Sequence, residues 1–152
     1  MKKTTGKLMY VGLWPLLWLY APLQARARVL VVCGDEFLVV KSYFGSGAWD
    51  LPGGGMHFGE SAVHAAVREL REETGLTIAP EKLQPLIPMQ VFREKGLLFR
   101  FHIFWVQVRS KQDITLQERE IIDAMWLPLQ SPPAGLAAHV ITSVQTLQNQ
   151  KT

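Results

Sequence analysis

The hydrophobic pattern of the chain predicts four strands arranged as two hairpins. Residues 29–33 and 37–41 are mostly apolar and flank the turn residues at 34–36, which is typical of a β-hairpin. Residues 83–92 and 97–108 flank a Glu-Lys-Gly turn and predict a second hairpin. Apolar and polar side chains alternate along part of the 97–108 segment, as expected of a strand that is buried on one face.

Two other segments show helical spacing. Ser61 is a good N-cap residue and Gly75 a good C-terminal cap, and no Gly or Pro interrupts the residues between them, which predicts a helix of about 13 residues. A second helix is predicted over 136–147, because four apolar residues recur there at helical spacing, namely Leu136, Val140, Val144 and Leu147. Strands interleaved with two helices indicate an α/β fold.

The first predicted helix carries three carboxylates on one face. Glu69, Glu72 and Glu73 stand at positions i, i+3 and i+4, which brings their like charges within one turn. A hard divalent cation would relieve this repulsion, because Mg²⁺ prefers oxygen ligands and Mn²⁺ accepts the same donors. The alternative is a solvated helix face on which Arg68 pairs with Glu72.

The segment before this helix combines an apolar strand candidate with a run of glycines. Residues 49–55 read Trp-Asp-Leu-Pro-Gly-Gly-Gly. Consecutive glycines weaken a strand and suggest that the backbone turns sharply or approaches a ligand closely. An ordinary glycine-rich turn is the alternative. A strand, a glycine turn and an acidic helix in succession would place backbone carbonyls beside the carboxylates, where both could bind a metal.

The spacing of these residues resembles a known family signature. Gly54 is followed after five residues by Glu60, and after seven more by the run Arg-Glu-Leu-Arg-Glu-Glu-Thr-Gly-Leu at 68–76. This resembles the Nudix box, G-x5-E-x7-R-E-U-x-E-E-x-G-U with U an aliphatic residue, and it matches at every position. The chain is thus similar to Nudix hydrolases. The resemblance implies an α-β-α sandwich around a mixed β-sheet, to which the leader would add an extra N-terminal apolar helix.

The resemblance also implies roles for individual residues. The metal ligands would be the carboxylates of Glu69, Glu72 and Glu73 and the backbone carbonyl of Gly53, binding Mg²⁺ or, as a substitute, Mn²⁺. Glu69 is in addition a candidate base for the attacking water. Arg68 would hold a box glutamate in place, and a supporting part falls to Glu60, Gly54 and Gly75.

Some Nudix enzymes take their base from a loop that follows the box. Glu118 and Glu120 lie in such a loop, and we select Glu120 as a second catalytic candidate. A solvated surface loop explains either glutamate equally well. Both readings stay open at the level of sequence.

The resemblance implies a metal-dependent hydrolase that cleaves the diphosphate linkage of a nucleoside diphosphate derivative or nucleoside triphosphate by water attack at phosphorus. The alternative is a catalytically inactive nucleotide-binding or regulatory module on the same fold. The sequence does not identify the substrate. It lacks the S-Q-P-W-P-F-P-x-S run of NADH-type enzymes and the L-L-T-K-R run of coenzyme-A-type enzymes.

Composition and charge limit the partners. The chain has 152 residues and 48% apolar content, which suffices for a single compact domain, predicted at 27–152. Five of the 16 Lys and Arg residues lie within 1–28, where there is no acidic residue, leaving 11 basic and 13 acidic residues in the rest. This charge balance leads us to expect no nucleic-acid partner. The resemblance implies a small-molecule nucleotide-type substrate. Cys33, the single cysteine, excludes an internal disulfide and is expected to be buried in a strand.

The leader, residues 1–26, contains an uncharged stretch at 8–23 that is rich in Trp and Tyr. This stretch is shorter than the roughly 20 apolar residues that a membrane-spanning helix requires. A signal peptide is one alternative, with residues 25–27 as its cleavage site. We favour an apolar helix that packs on the domain or lies at a membrane surface. We therefore expect a cytoplasmic protein, with peripheral membrane contact through 8–23 as an open alternative and the oligomeric state unassigned.

Overall fold

The computed structural model describes residues 25–43, 47–94, 97–117 and 120–151. The predicted leader helix lies outside the described residues, except that Ala25 and Arg26 belong to the first strand. Neither long helix of the described part has the length and hydropathy needed to cross a membrane.

The strands of the described part of the chain form one mixed sheet. Its strands are β1 (Ala25–Cys33), β2 (Glu36–Ser42), β3 (Gly53–Gly55), β4 (Gln84–Glu94), β5 (Leu97–Val108) and β6 (Ile121–Pro128). They follow the order β4-β5-β1-β2-β6, and β3 pairs with β1. Strands β1 and β5 run parallel along their length, whereas the other pairs are antiparallel. Both predicted hairpins and the mixed sheet are confirmed.

Two α-helices cover the sheet, α1 (Ala62–Thr74) and α2 (Ala138–Lys151), and a short 3₁₀ turn spans Pro80–Lys82. Helix α1 has the predicted Ser61 and Gly75 caps, and Gly75 has a φ of 75°. Helix α2 begins later than the predicted 136, because the Ala137 backbone N–H donates to the Trp49 carbonyl at 2.9 Å. Leu136 also forms a parallel bridge with Trp49, so the chain is extended there.

The alternation of side chains along β1 separates two cores. Val29 and Val31 face α1 and pack with Ala65 and Leu70. On the other face of β1, Leu30 and Val32 belong to a cluster that also contains Phe101 and Ile103 of β5 and three residues of α2, namely Val140, Val144 and Leu147. The sheet therefore lies between the two helices, which confirms the α-β-α sandwich.

The glycine segment lies closer to the sheet than a side chain would permit. The strand predicted just before the glycines is wrong, because Trp49 and Asp50 form only isolated bridges and the strand β3 consists of the glycines Gly53–Gly55 themselves. Gly53 has a φ of 139°, and a Cβ there would lie 2.1 Å from the carbonyl oxygen of Ala27. Only glycine fits this position. The prediction for Cys33 needs correction, because it lies at the end of β1 and is only half-buried.

Candidate active site

Three glutamates of α1 lie beside β3, each in a different environment. Glu73 is buried, with 6% of its surface exposed, and its Oε2 accepts a hydrogen bond from the Gly53 N–H at 2.8 Å. Glu69 packs against the glycine strand so closely that a Cβ on Gly54 would lie 2.6 Å from its carboxylate. Glu72 has 44% of its side chain exposed. The strand and the helix thus bring two carboxylates onto the glycine backbone and leave the third toward solvent.

Arg68 holds this arrangement through a fork of hydrogen bonds. Its Nε and Nη2 donate to the two carboxylate oxygens of Glu60, each at 2.9 Å. Its Nη1 donates to Glu69 Oε1 at 2.7 Å, and Nη2 also donates to the Gly55 carbonyl at 2.9 Å. The contact with Glu72, expected for a solvated helix face, is longer at 3.4 Å. Arg68 therefore binds the acidic helix to the glycine strand.

The electrostatics of the site differ from one carboxyl group to the next. Hydrogen bonds from Arg68 lower the pKa of Glu60 to about 2, and the same contacts raise the pKa of Arg68. Burial raises the pKa of Glu73 to about 8, against the opposing effect of the Arg28 guanidinium. Without a bound cation, Glu73 is therefore largely protonated at neutral pH.

The donor chemistry of these residues fits a hard divalent cation. Glu69, Glu72, Glu73 and the Gly53 carbonyl supply oxygen ligands, the class that Mg²⁺ and Mn²⁺ prefer. Among the described residues, however, no three Asp, Glu, His or Cys side chains already form a cation cage. Glu69 accepts a hydrogen bond from Arg68 and Glu72 is exposed, so these side chains would have to rotate to hold a cation together. The Gly53 carbonyl accepts from Arg28 but retains a second lone pair.

The loop that contains Glu120 is attached to the end of α1. The Thr115 N–H donates to the Thr74 carbonyl at 2.9 Å, and the Gln117 N–H donates to the Glu73 carbonyl at 3.3 Å. The Glu120 side chain is exposed, and its carbonyl accepts from the Tyr43 N–H at 2.9 Å. An open groove of about 570 Å³ lies here, lined by Tyr43, Ile114, Thr115, Leu116, Ile121 and Ile122. The loop is thus held to the C-terminal end of α1 through the backbone carbonyls of Glu73 and Thr74.

Three residues behind the glycine strand were not predicted as part of the site. No role in the site was predicted for Arg28, yet its Nη1 donates to the carbonyls of Leu51 at 2.8 Å and Gly53 at 2.5 Å. Its Nη2 lies 3.1 Å from Asp50 Oδ2, and Asp50 Oδ1 lies 2.5 Å from His139 Nε2. His139 lies on α2, far along the chain from the acidic helix α1. The available signals were an arginine preceding an apolar run and a histidine on an apolar helix face.

Comparisons with known proteins agree with this geometry. The NUDIX domain family profile matches residues 22–147. The NAD-capped RNA hydrolase NudC of Pseudomonas aeruginosa is 33% identical over 128 residues, which cover 80% of this chain and 44% of that protein. The human 8-oxo-dGDP phosphatase NUDT18 is 34% identical over 141 residues, which cover 86% of this chain and 42% of that protein. This chain thus spans less than half the length of these two relatives.

Solved structures include proteins with the same fold. The MutT NUDIX hydrolase from Burkholderia pseudomallei superposes with a TM-score of 0.72 at 18% identity, over 82% of this chain and 97% of that one. The family profile covers most of the chain, including both β3 and the acidic helix α1. The chain therefore belongs to the Nudix hydrolase family.

Proposed function

We propose that this protein is a metal-dependent hydrolase that cleaves the diphosphate linkage of a nucleoside diphosphate derivative or a nucleoside triphosphate by water attack at phosphorus. The observation that carries the proposal is the convergence of Glu69 and Glu73 on the glycine strand. One carboxylate lies against Gly54 and the other accepts from the Gly53 N–H. Membership in the family supports the same reaction class.

Each residue of the site would have its own role in the reaction. Glu69, Glu72, Glu73 and the Gly53 carbonyl would hold Mg²⁺, and Mn²⁺ could substitute. When bound, the metal would neutralise diphosphate charge and lower the pKa of the attacking water. Arg68 keeps Glu69 near the glycine strand, and Glu60 keeps Arg68 in that orientation. Gly54 leaves room for the Glu69 carboxylate, and Gly75 ends the helix.

Two carboxylates are candidates for accepting the proton of the attacking water. Glu69 lies next to the glycine strand, whereas Glu120 lies on the loop that is bonded to the end of α1. A general base must come within hydrogen-bond reach of the attacking water. Glu120→Gln distinguishes them, because Glu120 is not among the proposed metal ligands. Loss of the acidic limb of the pH profile of kcat/KM in this variant would identify Glu120 as the base, and an unchanged profile would favour Glu69.

The substrate is proposed by chemical class. The names of the two relatives refer to NAD-capped RNA and to 8-oxo-dGDP, each of which contains a diphosphate attached to a nucleoside. We propose a small nucleotide of that kind as the substrate. Because one relative acts on capped RNA by its name, an NAD-capped oligonucleotide belongs in the substrate panel.

The test is a Mg²⁺-dependent hydrolysis assay in which the nucleotide products are separated by chromatography, over nucleoside triphosphates, 8-oxo-dGDP, NAD, ADP-ribose, dinucleoside polyphosphates and capped RNA. Glu72→Gln and Glu73→Gln keep the side-chain shape but remove a negative oxygen ligand. We expect each to lower kcat/KM by at least about 100-fold, since metal-ion catalysis supplies several kcal/mol. Glu81→Gln is the matched control, because Glu81 is exposed on the 3₁₀ turn. It should hydrolyse at the native rate.

Two outcomes would contradict the proposal. Full hydrolysis by both glutamine variants would show that these carboxylates do not hold the catalytic metal. No hydrolysis of any compound by folded native protein, with Mg²⁺ and with Mn²⁺, would favour the inactive nucleotide-binding module. Nucleotide binding, measured by calorimetry, would then become the decisive assay.

A further inference from the structure

A continuous series of polar contacts runs from α2 to α1 through the glycine strand. It begins at His139, passes through Asp50 and Arg28 to Gly53, and ends at Glu73. His139 is 2% exposed and Arg28 is 7% exposed, so both lie inside the protein. Except for Glu73, these residues lie outside the acidic signature. The series crosses the sheet and connects the two helices that cover its opposite faces.

Each contact has a defined direction. Asp50 faces a guanidinium, so its carboxylate accepts hydrogen bonds and His139 Nε2 donates to it at 2.5 Å. The His139 ring stacks on Phe101, with 4.6 Å between centroids, which fixes the orientation of the imidazole. The other carboxylate oxygen of Asp50 lies 3.1 Å from Arg28 Nη2. Helix α2 thereby fixes the orientation of Arg28.

Arg28 and Asp50 both act on the backbone of residues 51–53. Nη1 of Arg28 donates to the carbonyls of Leu51 and Gly53, and Asp50 Oδ1 accepts from the Leu51 N–H at 2.7 Å. A buried ion pair is weak evidence for stability, because apolar residues of similar volume often stabilise as well or better. Three hydrogen bonds to one short backbone segment indicate a role in positioning that segment.

Gly53 connects this backbone segment to the acidic helix α1. Its carbonyl accepts from Arg28, and its N–H donates to Glu73 Oε2 at 2.8 Å. Since a Cβ at this residue would collide with Ala27, the backbone of Gly53 is also confined by β1. A displacement of Arg28 would therefore move both the Gly53 carbonyl and the Gly53 N–H that donates to Glu73.

We propose that Arg28, Asp50 and His139 are positioning residues that hold the Gly53 backbone against Glu73 and thereby set the affinity of the site for a divalent cation. This inference rests on the proposed function, because it assigns the same carboxylates to a metal. The three residues do not touch the cation themselves. They act through the backbone atoms and the carboxylate that would.

The test measures Mn²⁺ binding to the full chain without substrate, by the electron paramagnetic resonance signal of free Mn²⁺. Arg28→Lys keeps the charge but loses the planar fork that reaches two carbonyls and Asp50. We expect it to weaken Mn²⁺ binding at least about tenfold, equivalent to about 1.4 kcal/mol. His139→Phe keeps an aromatic ring beside Phe101 but removes the donor to Asp50, and should weaken binding about threefold or more.

Val144→Ala is the matched control. Val144 is a buried residue of α2 in the same core cluster as Phe101, and its side chain has no polar group that could contact the site. It should lower the melting temperature and leave Mn²⁺ affinity at the native value, measured well below the melting temperature of each variant. Native affinity in both Arg28→Lys and His139→Phe would overturn the proposal. An equal loss in Val144→Ala would do the same. If Arg28→Lys fails to fold, His139→Phe decides alone.

The failure of this proposal can be separated from failure of the proposed function. Native protein that binds Mn²⁺ but hydrolyses nothing would contradict the hydrolase and leave the positioning role in place if the variants bind weakly. Native protein that hydrolyses a nucleotide, with variants of unchanged Mn²⁺ affinity, would contradict only the positioning role. Absence of Mn²⁺ binding to the native protein would overturn the positioning role directly.

Discussion

Glu69, Glu72 and Glu73 have the same side chain but experience three different environments. Glu69 pairs with Arg68, Glu72 is largely solvated, and Glu73 is buried with a pKa raised to about 8. Burial disfavours the ionised carboxyl, and the Arg28 guanidinium opposes this effect only in part. The spacing of the residues determines which side of α1 they share. Their protonation depends on what packs against them.

The raised pKa of Glu73 predicts a pH-dependent stability of the metal-free protein. The folded state retains a proton up to about pH 8, whereas an ordinary glutamate in the unfolded chain loses it near 4.5. Between these values folding takes up a proton, so the free energy of unfolding falls as pH rises. We expect Glu73 to contribute a loss on the order of 1–2 kcal/mol between about pH 6 and pH 8.

Urea denaturation in EDTA at the two pH values measures this contribution. Glu73→Gln provides the reference, since the amide oxygen can still accept from the Gly53 N–H but does not titrate. Subtracting the pH dependence of the variant's free energy of unfolding from that of the native protein removes the effect of histidines and of other titrating groups. Parallel pH dependence of the two proteins would show that Glu73 does not carry the shifted pKa.

At the scale of elements, the C-terminal end of α1 connects the acidic helix to the loop that contains Glu120. Gly75 ends the helix with a φ of 75°, and its N–H donates to the Arg71 carbonyl at 2.9 Å. The next contact is with the Glu120 loop, because the Thr115 N–H donates to the Thr74 carbonyl. A change at this cap should therefore affect both the helix and the loop.

We predict that Gly75→Ala is more destabilising than Gly135→Ala. Both residues have a positive φ, at 75° and 91°, so alanine is strained at either position by about 1–3 kcal/mol. A Cβ at Gly75 would also lie 3.1 Å from Thr115 Cβ, whereas nothing lies within 4 Å at Gly135. Urea denaturation should show the larger loss for Gly75→Ala. Equal losses in the free energy of unfolding would mean that the loop at Thr115 moves away from the new Cβ without loss of stability.

At the scale of the whole molecule, positive charge is concentrated before β1. Residues 1–28 contain five basic residues and no acidic one, although Arg26 and Arg28 belong to the strand. Lys2, Lys3 and Lys7 therefore carry the positive charge of the segment that precedes the domain. A juxtaposed basic and apolar segment favours binding to an anionic membrane surface.

We predict that a chain starting at residue 22, where the family profile begins, hydrolyses nucleotides at the native rate but no longer binds anionic vesicles. Flotation with phosphatidylserine-containing vesicles, compared with phosphatidylcholine vesicles, measures the binding. A full-length variant with Lys2, Lys3 and Lys7 changed to Gln is the control, and it should lose the salt-sensitive part of the binding. Equal flotation of the full and shortened chains would contradict a membrane-surface role for the leader.

Local signals in the sequence determined α1, the two hairpins and the set of candidate metal ligands. Capping residues, turn residues and the spacing of carboxylates act over a few residues, so they can be interpreted without a fold. The beginning of α2 was predicted too early, because Leu136 and Ala137 are held by Trp49 instead of by helical bonds. That contact joins distant parts of the chain and leaves no local signal.

The buried contacts behind the glycine strand depended on tertiary structure alone. His139 and Asp50 are 89 positions apart, and Arg28 and Gly53 are 25 apart, so only the strand order and the packing of α2 bring them together. The raised pKa of Glu73 has the same origin, since burial by neighbouring elements causes it. Sequence thus determined which groups are available for chemistry. Tertiary structure decided which of them are charged, buried and held in place, because those properties depend on contacts between distant residues.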